Sequence, residues 1–240
     1  WTTLLPAAAV LAGACGADES DPVLVLAASS LTDAFQELEV GYERTNPGED
    51  IELSFAGSGA LRLQIDEGVP ADVVALADET VMTELAGEGH VAESTVFVTN
   101  QLVVATPADG TATVTGVESL ADPSLLVGLC AIEVPCGRYA SDGLAAADVE
   151  PDVDTFEADV RALTTKLTIG ELDVGVVYAT DVMASAGALV TVAPLEGVEA
   201  AYPIASLVDA PRAERAAAFV DFVLSPDARA ILDAAGFGTP

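Results

Sequence analysis

From residue 22 onward, short apolar runs alternate with longer stretches in which apolar positions recur every three or four residues. "PVLVLAAS" has the pattern of a buried strand, and "LTDAFQELEVGYERTNP" that of an amphipathic helix stopped by Asn-Pro-Gly. "DIELSFAG" predicts a second strand, "SGALRLQIDEG" a helix closed by Gly68, and "ADVVALAD" a third strand. A second set follows, with strands at "VFVTNQLVVATP", "LLVGLCAIEV" and "VGVVYA" and helices at "RYASDGLAAADV" and "FEADVRALTTKLTIGELD". Two more extended runs, "ALVTVAPL" and "AYPIASLV", lead to two closing helices in "RAERAAAFVDFVLSPDARAILDAAGFG", the second capped by Ser225 with Pro226 in its first turn. Strands alternating with helices imply an α/β fold whose sheet is mostly parallel and covered on both faces.

At 240 residues, 51% hydrophobic and 20% charged, the chain has the composition of a globular protein of one large domain or two lobes. Eight basic residues against 39 acidic ones give a formal charge of −31, which excludes nucleic acid and anionic membrane surfaces as partners, since both need clustered Lys and Arg. The acidic stretch "DVEPDVDTFEAD", residues 148–159, lacks the glycine and ligand order of a calcium loop and reads as a solvated loop. The first 14 residues are apolar and small and end at Cys15, which suggests the tail of a secretory leader. "LAGAC" resembles a bacterial lipoprotein signal in which Cys15 becomes the lipidated first residue, although Leu11 stands one place further from the cysteine than in that motif. An exported chain meets oxidising conditions, so Cys130 and Cys136 are expected to form a local disulfide, two buried thiols being the alternative.

The candidate chemistry lies where strands run into helices. Ligands of open α/β sheets bind outside the carboxyl ends of strands, where helix N-termini present unpaired N–H groups. "AASSLTDAF" places Ser29 and Ser30 at such a seam, and "FAGSGALRL" places Gly57, Ser58 and Gly59 at another. "EVPCGRYA" supplies Cys136 and Gly137, and "EADVRAL" supplies the N–H of Val160. Each seam alone is an ordinary cap; together they offer hydroxyls and amides without charge, aimed at something negative. Nucleophilic catalysis fits less well: "AGSGA" is not a nucleophile elbow, no phosphate loop or dinucleotide fingerprint occurs, and His90, the single histidine, sits in a turn-like "GEGH".

The segments "AASSLTDAF", "FAGSGALRLQIDEGVPADVVALAD", "VPCGRYA", "ADVRAL", "GVVYATD" and "FVDFVLSPDARAIL" closely resemble the molybdate-binding proteins of bacterial ABC importers, two-lobed members of the periplasmic-binding-protein class, over residues 22 to 238. The resemblance implies a type II two-lobed fold, no enzymatic activity, no cofactor, and an oxyanion held between the lobes by neutral donors. Transferred position by position, the serine contacts fall on Ser30 and Ser58, the amide contacts on Cys136 and Val160, and the hydroxyl contact on Tyr178. The family often has a small residue such as alanine where this chain has Cys136, a change that a backbone contact tolerates. The implied ligand is molybdate, with tungstate as a close equivalent; the implied partners are ABC permease subunits, for a monomeric receptor that meets the membrane only through a lipid on Cys15. Its expected place is the periplasm or the outer face of the cytoplasmic membrane.

On this basis residues 1–21 form the leader and linker, residues 22–101 plus 204–240 the first lobe, and residues 102–203 the second. The chain is expected to cross between lobes near Asn100–Val103 and Tyr202–Ile204. Receptors for sulfate or another tetrahedral oxyanion, and more remotely an exported hydrolase using Ser30 or Ser58, are the competing readings. A charge of −31 does not forbid a dianion: the summed field costs on the order of 1 to 2 kcal/mol after screening, whereas each charge-assisted hydrogen bond contributes roughly 1.5 to 3 kcal/mol.

Overall fold

The computed structural model describes residues 21–240, so the leader and Cys15 lie outside the described residues. Eight strands form one sheet in the order β2-β1-β3-β8-β4-β7-β5-β6. Strands β1 (Val23–Ala28), β2 (Ile51–Ala56) and β3 (Val73–Ala75) are mutually parallel around β1. Strands β5 (Val127–Cys130), β6 (Thr155–Glu157) and β7 (Val174–Tyr178) form a second parallel set around β5. The long strands β4 (Thr95–Pro107) and β8 (Leu189–Ser206) run antiparallel to each other and join the two sets. The central strands are apolar on both faces, as buried parallel strands must be: β3, β5 and β7 have no exposed residue.

The joining strands decide where a ligand can sit. β3 pairs with the C-terminal end of β8, with Ala75 opposite Ile204, whereas β7 pairs with the later half of β4, with Leu102 opposite Tyr178. Three antiparallel steps reverse β7 relative to β3, and the offset along β4 and β8 sets the two groups of strands end to end. The carboxyl ends of β1, β2 and β3 therefore face those of β5, β6 and β7, and so do the N-termini of the helices that follow them.

Those helices form where the apolar spacing demands. α1 (Thr32–Thr45) buries Ala34, Phe35, Leu38, Gly41 and Tyr42 as one stripe and ends where the Asn46 side chain donates to the Tyr42 carbonyl at 2.9 Å. α2 (Ser58–Asp66) closes on Gly68, whose φ of 82° is the left-handed conformation that only glycine adopts freely. α4 (Pro135–Ala146) has Pro135 in its first turn, and α8 (Pro226–Ala234) is capped by Ser225, whose side chain accepts from the Ala228 amide at 3.3 Å. α6 (Ala179–Ala184) follows β7, and α7 (Ala213–Val223) precedes α8.

Several elements differ from the sequence expectation. The two late extended runs are one strand, β8, because register shifts against β4 absorb the break in pattern. "FEADVRAL" is not helical throughout: Thr155–Glu157 is an edge strand and α5 (Val160–Thr168) starts at Val160, because the Asp159 side chain accepts from the Ala162 amide at 2.9 Å and fixes the start there. The stretch at residues 148–159 is more than a solvated loop, since Asp154 accepts from the Val127 amide at 2.8 Å and Glu157 pairs with Lys166 at 2.6 Å. α3 (Glu79–Gly87), capped by Asp78, is a further helix between β3 and β4. Cys130 and Cys136 are joined by a disulfide that ties the end of β5 to the first turn of α4.

One buried acid fastens the C-terminal helices to the first set of strands. Asp72 is fully buried and accepts from the Leu24 amide at 2.8 Å, the Arg212 amide at 2.8 Å and the Arg212 guanidinium at 2.7 Å. Asp72→Ala should lower the unfolding free energy by about 3 kcal/mol, because it leaves the largely buried Arg212 charge with only Asp21, at 3.9 Å, and orphans two backbone amides; urea titration measures the loss. A cost within a few tenths of a kcal/mol would show that these bonds do not hold the helix in place.

Candidate functional site

Six strand-to-helix seams meet at a small cavity between the two groups of strands. It is lined by Ser29, Ser30, Gly57, Ser58, Cys136, Asp159, Val160 and Tyr178 among others. All five residues assigned from the sequence, Ser30, Ser58, Cys136, Val160 and Tyr178, are therefore brought together. Ser29, read above as part of the seam, also reaches the wall, while its carbonyl accepts from the Thr32 hydroxyl at 2.7 Å and holds the 3₁₀ turn that precedes α1.

The donors are set by local structure. Ser58 opens α2, Cys136 is the second residue of α4 and Val160 the first of α5, so their amides belong to the first turns, where no intrahelical acceptor exists. The aligned dipoles of three helices add partial positive charge at this point without a cation. Ser58 is 1% exposed and its oxygen accepts from the Ala77 amide at 3.2 Å, which leaves its proton for another acceptor. The Tyr178 hydroxyl lies at the end of β7 on the cavity wall, buried and close to the Tyr202 hydroxyl, yet among the described residues it makes no well-formed hydrogen bond. Burial raises its pKa well above the ordinary phenol value, so it stays protonated and is a donor at every physiological pH. An unpartnered buried hydroxyl costs about 1 to 3 kcal/mol, and a ligand that accepts its proton recovers that cost.

Among the described residues, no Lys or Arg lines the cavity. The nearby arginines are engaged elsewhere, and both engagements run between the two halves. Arg138 of α4 donates through Nε to Asp78, the cap of α3, at 3.0 Å; Arg161 of α5 donates to Asp33 of α1 at 2.7 Å. The one carboxylate on the wall, Asp159, spends an oxygen on the α5 cap. Gly57 lies against Ala158 and Asp159 across the gap, and a Cβ there would come within 3.0 Å of the Ala158 carbonyl oxygen, so glycine lets the halves meet.

Neither serine is built as a nucleophile. Ser30 bonds to the Tyr202 hydroxyl at 3.0 Å and Ser58 to a backbone amide, while His90 pairs with Asp66 at 3.2 Å outside the cavity. The wall presents protons to an acceptor, and neither serine hydroxyl is hydrogen-bonded to a base.

Residues that the sequence reading passed over support this site from behind. Asp181, the last residue of "VVYATD", accepts from the Tyr178 amide at 3.1 Å and so fixes the turn that aims Tyr178. Asn100, Thr180 and Tyr202 form a buried polar cluster beside Ser30. The only signal for Asn100 was a polar residue inside the apolar run "FVTNQLVV", a place where a buried side chain needs partners.

Residues 23–238 match the family model of the bacterial extracellular solute-binding proteins. The molybdate-binding protein of Mycobacterium tuberculosis is 33% identical over 221 residues, which cover 91% of this chain and 85% of that protein. Among solved structures, the sulfate-binding protein of M. tuberculosis superposes with a TM-score of 0.80 at 18% identity, covering 90% of this chain and 86% of that one. The periplasmic molybdate-binding protein of Azotobacter vinelandii superposes with a TM-score of 0.74 at 19% identity, covering 91% and 99% respectively.

Burial pushes the Asp181 carboxyl up to about 7, against the opposing pull of the Tyr178 amide and Arg161, with Asp33 and Asp159 adding to the rise. The folded chain thus keeps this proton to about pH 7, whereas an unfolded aspartate loses it near pH 4, so stability falls as the pH rises between those values. Asp181→Asn retains an acceptor for the Tyr178 amide but does not titrate. Its stability relative to wild type should therefore improve by about 2 kcal/mol between pH 5 and pH 7.5 in urea unfolding. A difference that does not change with pH would mean that the folded chain holds Asp181 ionised throughout.

Proposed function

The chain belongs to the bacterial extracellular solute-binding proteins, and we propose that within this family it captures molybdate, and tungstate as well, for delivery to an ABC importer. The observation that carries the reading is the buried Tyr178 hydroxyl, protonated, unpartnered and set among two serine hydroxyls and three helix N-termini with no cation on the wall. Molybdate near neutral pH is a bare dianion that accepts hydrogen bonds and donates none, which is what such a wall rewards. Hydrogen phosphate carries a proton and meets donors where it needs an acceptor. Tungstate is nearly the size of molybdate and has the same hydrogen-bonding character. The 33% identity to a molybdate-binding protein supports the same choice.

Two lobes give the site its working cycle. The first comprises residues 22–101 plus 204–240 and brings Ser30 and Ser58; the second, residues 102–203, brings Cys136, Val160 and Tyr178. An anion gripped from both sides favours the closed arrangement, and the ion pairs Arg138–Asp78 and Arg161–Asp33 close with it. The closed receptor is the form presented to the permease, with a lipid on Cys15 holding this monomer at the outer face of the cytoplasmic membrane.

The second reading is sulfate, favoured by the TM-score of 0.80 to a sulfate-binding protein. Sulfate is also a bare dianion, so only the size of the cage separates the two. Calorimetric titration with molybdate, tungstate, sulfate and phosphate decides between them. Molybdate and tungstate should bind at least 100-fold tighter than sulfate, with no heat from phosphate; sulfate binding as tightly as molybdate would reassign the receptor. Tyr178→Phe should weaken molybdate binding by about 1 to 3 kcal/mol, the worth of one hydrogen bond to an anion, and an unchanged affinity would remove Tyr178 from the site.

A further inference from the structure

The two serines are kept as donors by different means. The partner of Ser58 is the Ala77 amide, 3.2 Å away, and an amide cannot exchange roles: it donates, the serine oxygen accepts, and the serine proton is left for the cavity. Ser30 has instead the Tyr202 hydroxyl at 3.0 Å, and two hydroxyls can trade donor for acceptor. Such a pair alone would let Ser30 donate to Tyr202 and turn a lone pair to the ligand.

A third group removes that freedom. The Asn100 amide nitrogen lies 3.4 Å from the Tyr202 oxygen and 2.8 Å from the Thr180 hydroxyl oxygen. An NH₂ group only donates, so Asn100 cannot take the Tyr202 proton, and among the described residues Ser30 is the hydroxyl that bonds to Tyr202 and can accept it. Tyr202 is 0% exposed and Asn100 2%, which keeps bulk water from offering the tyrosine another acceptor. We propose that Tyr202, oriented by Asn100, is the positioning residue that makes Ser30 an obligate donor, and that this relay is what excludes oxyanions bearing a proton. The inference rests on the reading of the cavity as an oxyanion site. Asn100 and Tyr202 stand on β4 and β8, the two strands that join the halves, so the relay is anchored where the fold is continuous. Burial also raises the Tyr202 pKa, which keeps the proton on the phenol.

The test compares molybdate with arsenate by calorimetry at pH 8, in the wild type and in the variants Tyr202→Phe and Asn100→Asp. At that pH molybdate is bare and arsenate carries one proton, yet both are dianions, so the ratio of their affinities cancels any change of charge in the protein. Tyr202→Phe frees Ser30 to turn its oxygen to the ligand, and the molybdate-to-arsenate preference should fall by about tenfold. Asn100→Asp offers Tyr202 an acceptor and draws its proton away from Ser30, so the preference should fall in the same direction. A purely structural role would weaken both anions by one factor, and an unchanged ratio in both variants overturns the relay while leaving the oxyanion site standing. A wild-type protein that binds no oxyanion overturns the functional reading and the relay together.

Discussion

A donor can be promised to a ligand only if it has no other acceptor, and the site depends on that constraint. Where cations are scarce, with eight basic residues in 240, attraction for an anion must come from protons that the fold has left without a destination. First-turn amides are such protons by the geometry of the helix. Ser58 becomes one because a backbone amide occupies its oxygen, and Tyr178 because burial removes it from water. The arginines nearest the cavity reinforce the rule: both are matched by carboxylates from the facing half, so their charge serves contact between halves rather than the wall.

The sheet makes the convergence possible. A parallel set of strands sends all its helix N-termini to one edge, and one such set can surround only one side of a ligand. By reversing direction through three antiparallel pairings and sliding along β4 and β8, the chain brings the edges of two sets together. Apolar packing then holds the seams in place: Ala27, Leu31, Ala75, Val176 and Val177 are all at most 1% exposed, so strand ends next to the cavity are backed by close-packed core. A glycine at 57 and a local disulfide at Cys130–Cys136 fit the same purpose, keeping backbone close where backbone groups are the donors.

Much of this was legible in the sequence because the signals were local. Strand-to-helix seams announce themselves through an apolar run that ends in Ser or Gly before an amphipathic repeat, and Ser30 and Ser58 lie at such seams. Ser225-Pro226 marked the start of α8 for the same reason. What escaped was long-range or depended on a single side chain. Nothing near "VAPLEGVEAAYP" says that two extended runs form one strand, since the continuity of β8 is imposed by its pairing with β4. The start of α5 turned on Asp159, which a helical period alone does not distinguish from the residues around it. Thr180 and Tyr202 lie 80 and 102 residues from Asn100 along the chain, and their grouping with it follows only from the folded sheet.

The most direct test of a neutral cage formed from both halves is a crystal structure grown with molybdate and measured at the molybdenum absorption edge. The account predicts one anomalous peak within hydrogen-bonding distance of the Ser30, Ser58 and Tyr178 hydroxyls and the Cys136 and Val160 amides. A peak seated instead on Arg138, Arg161 or another cation, with these five donors untouched, would contradict it.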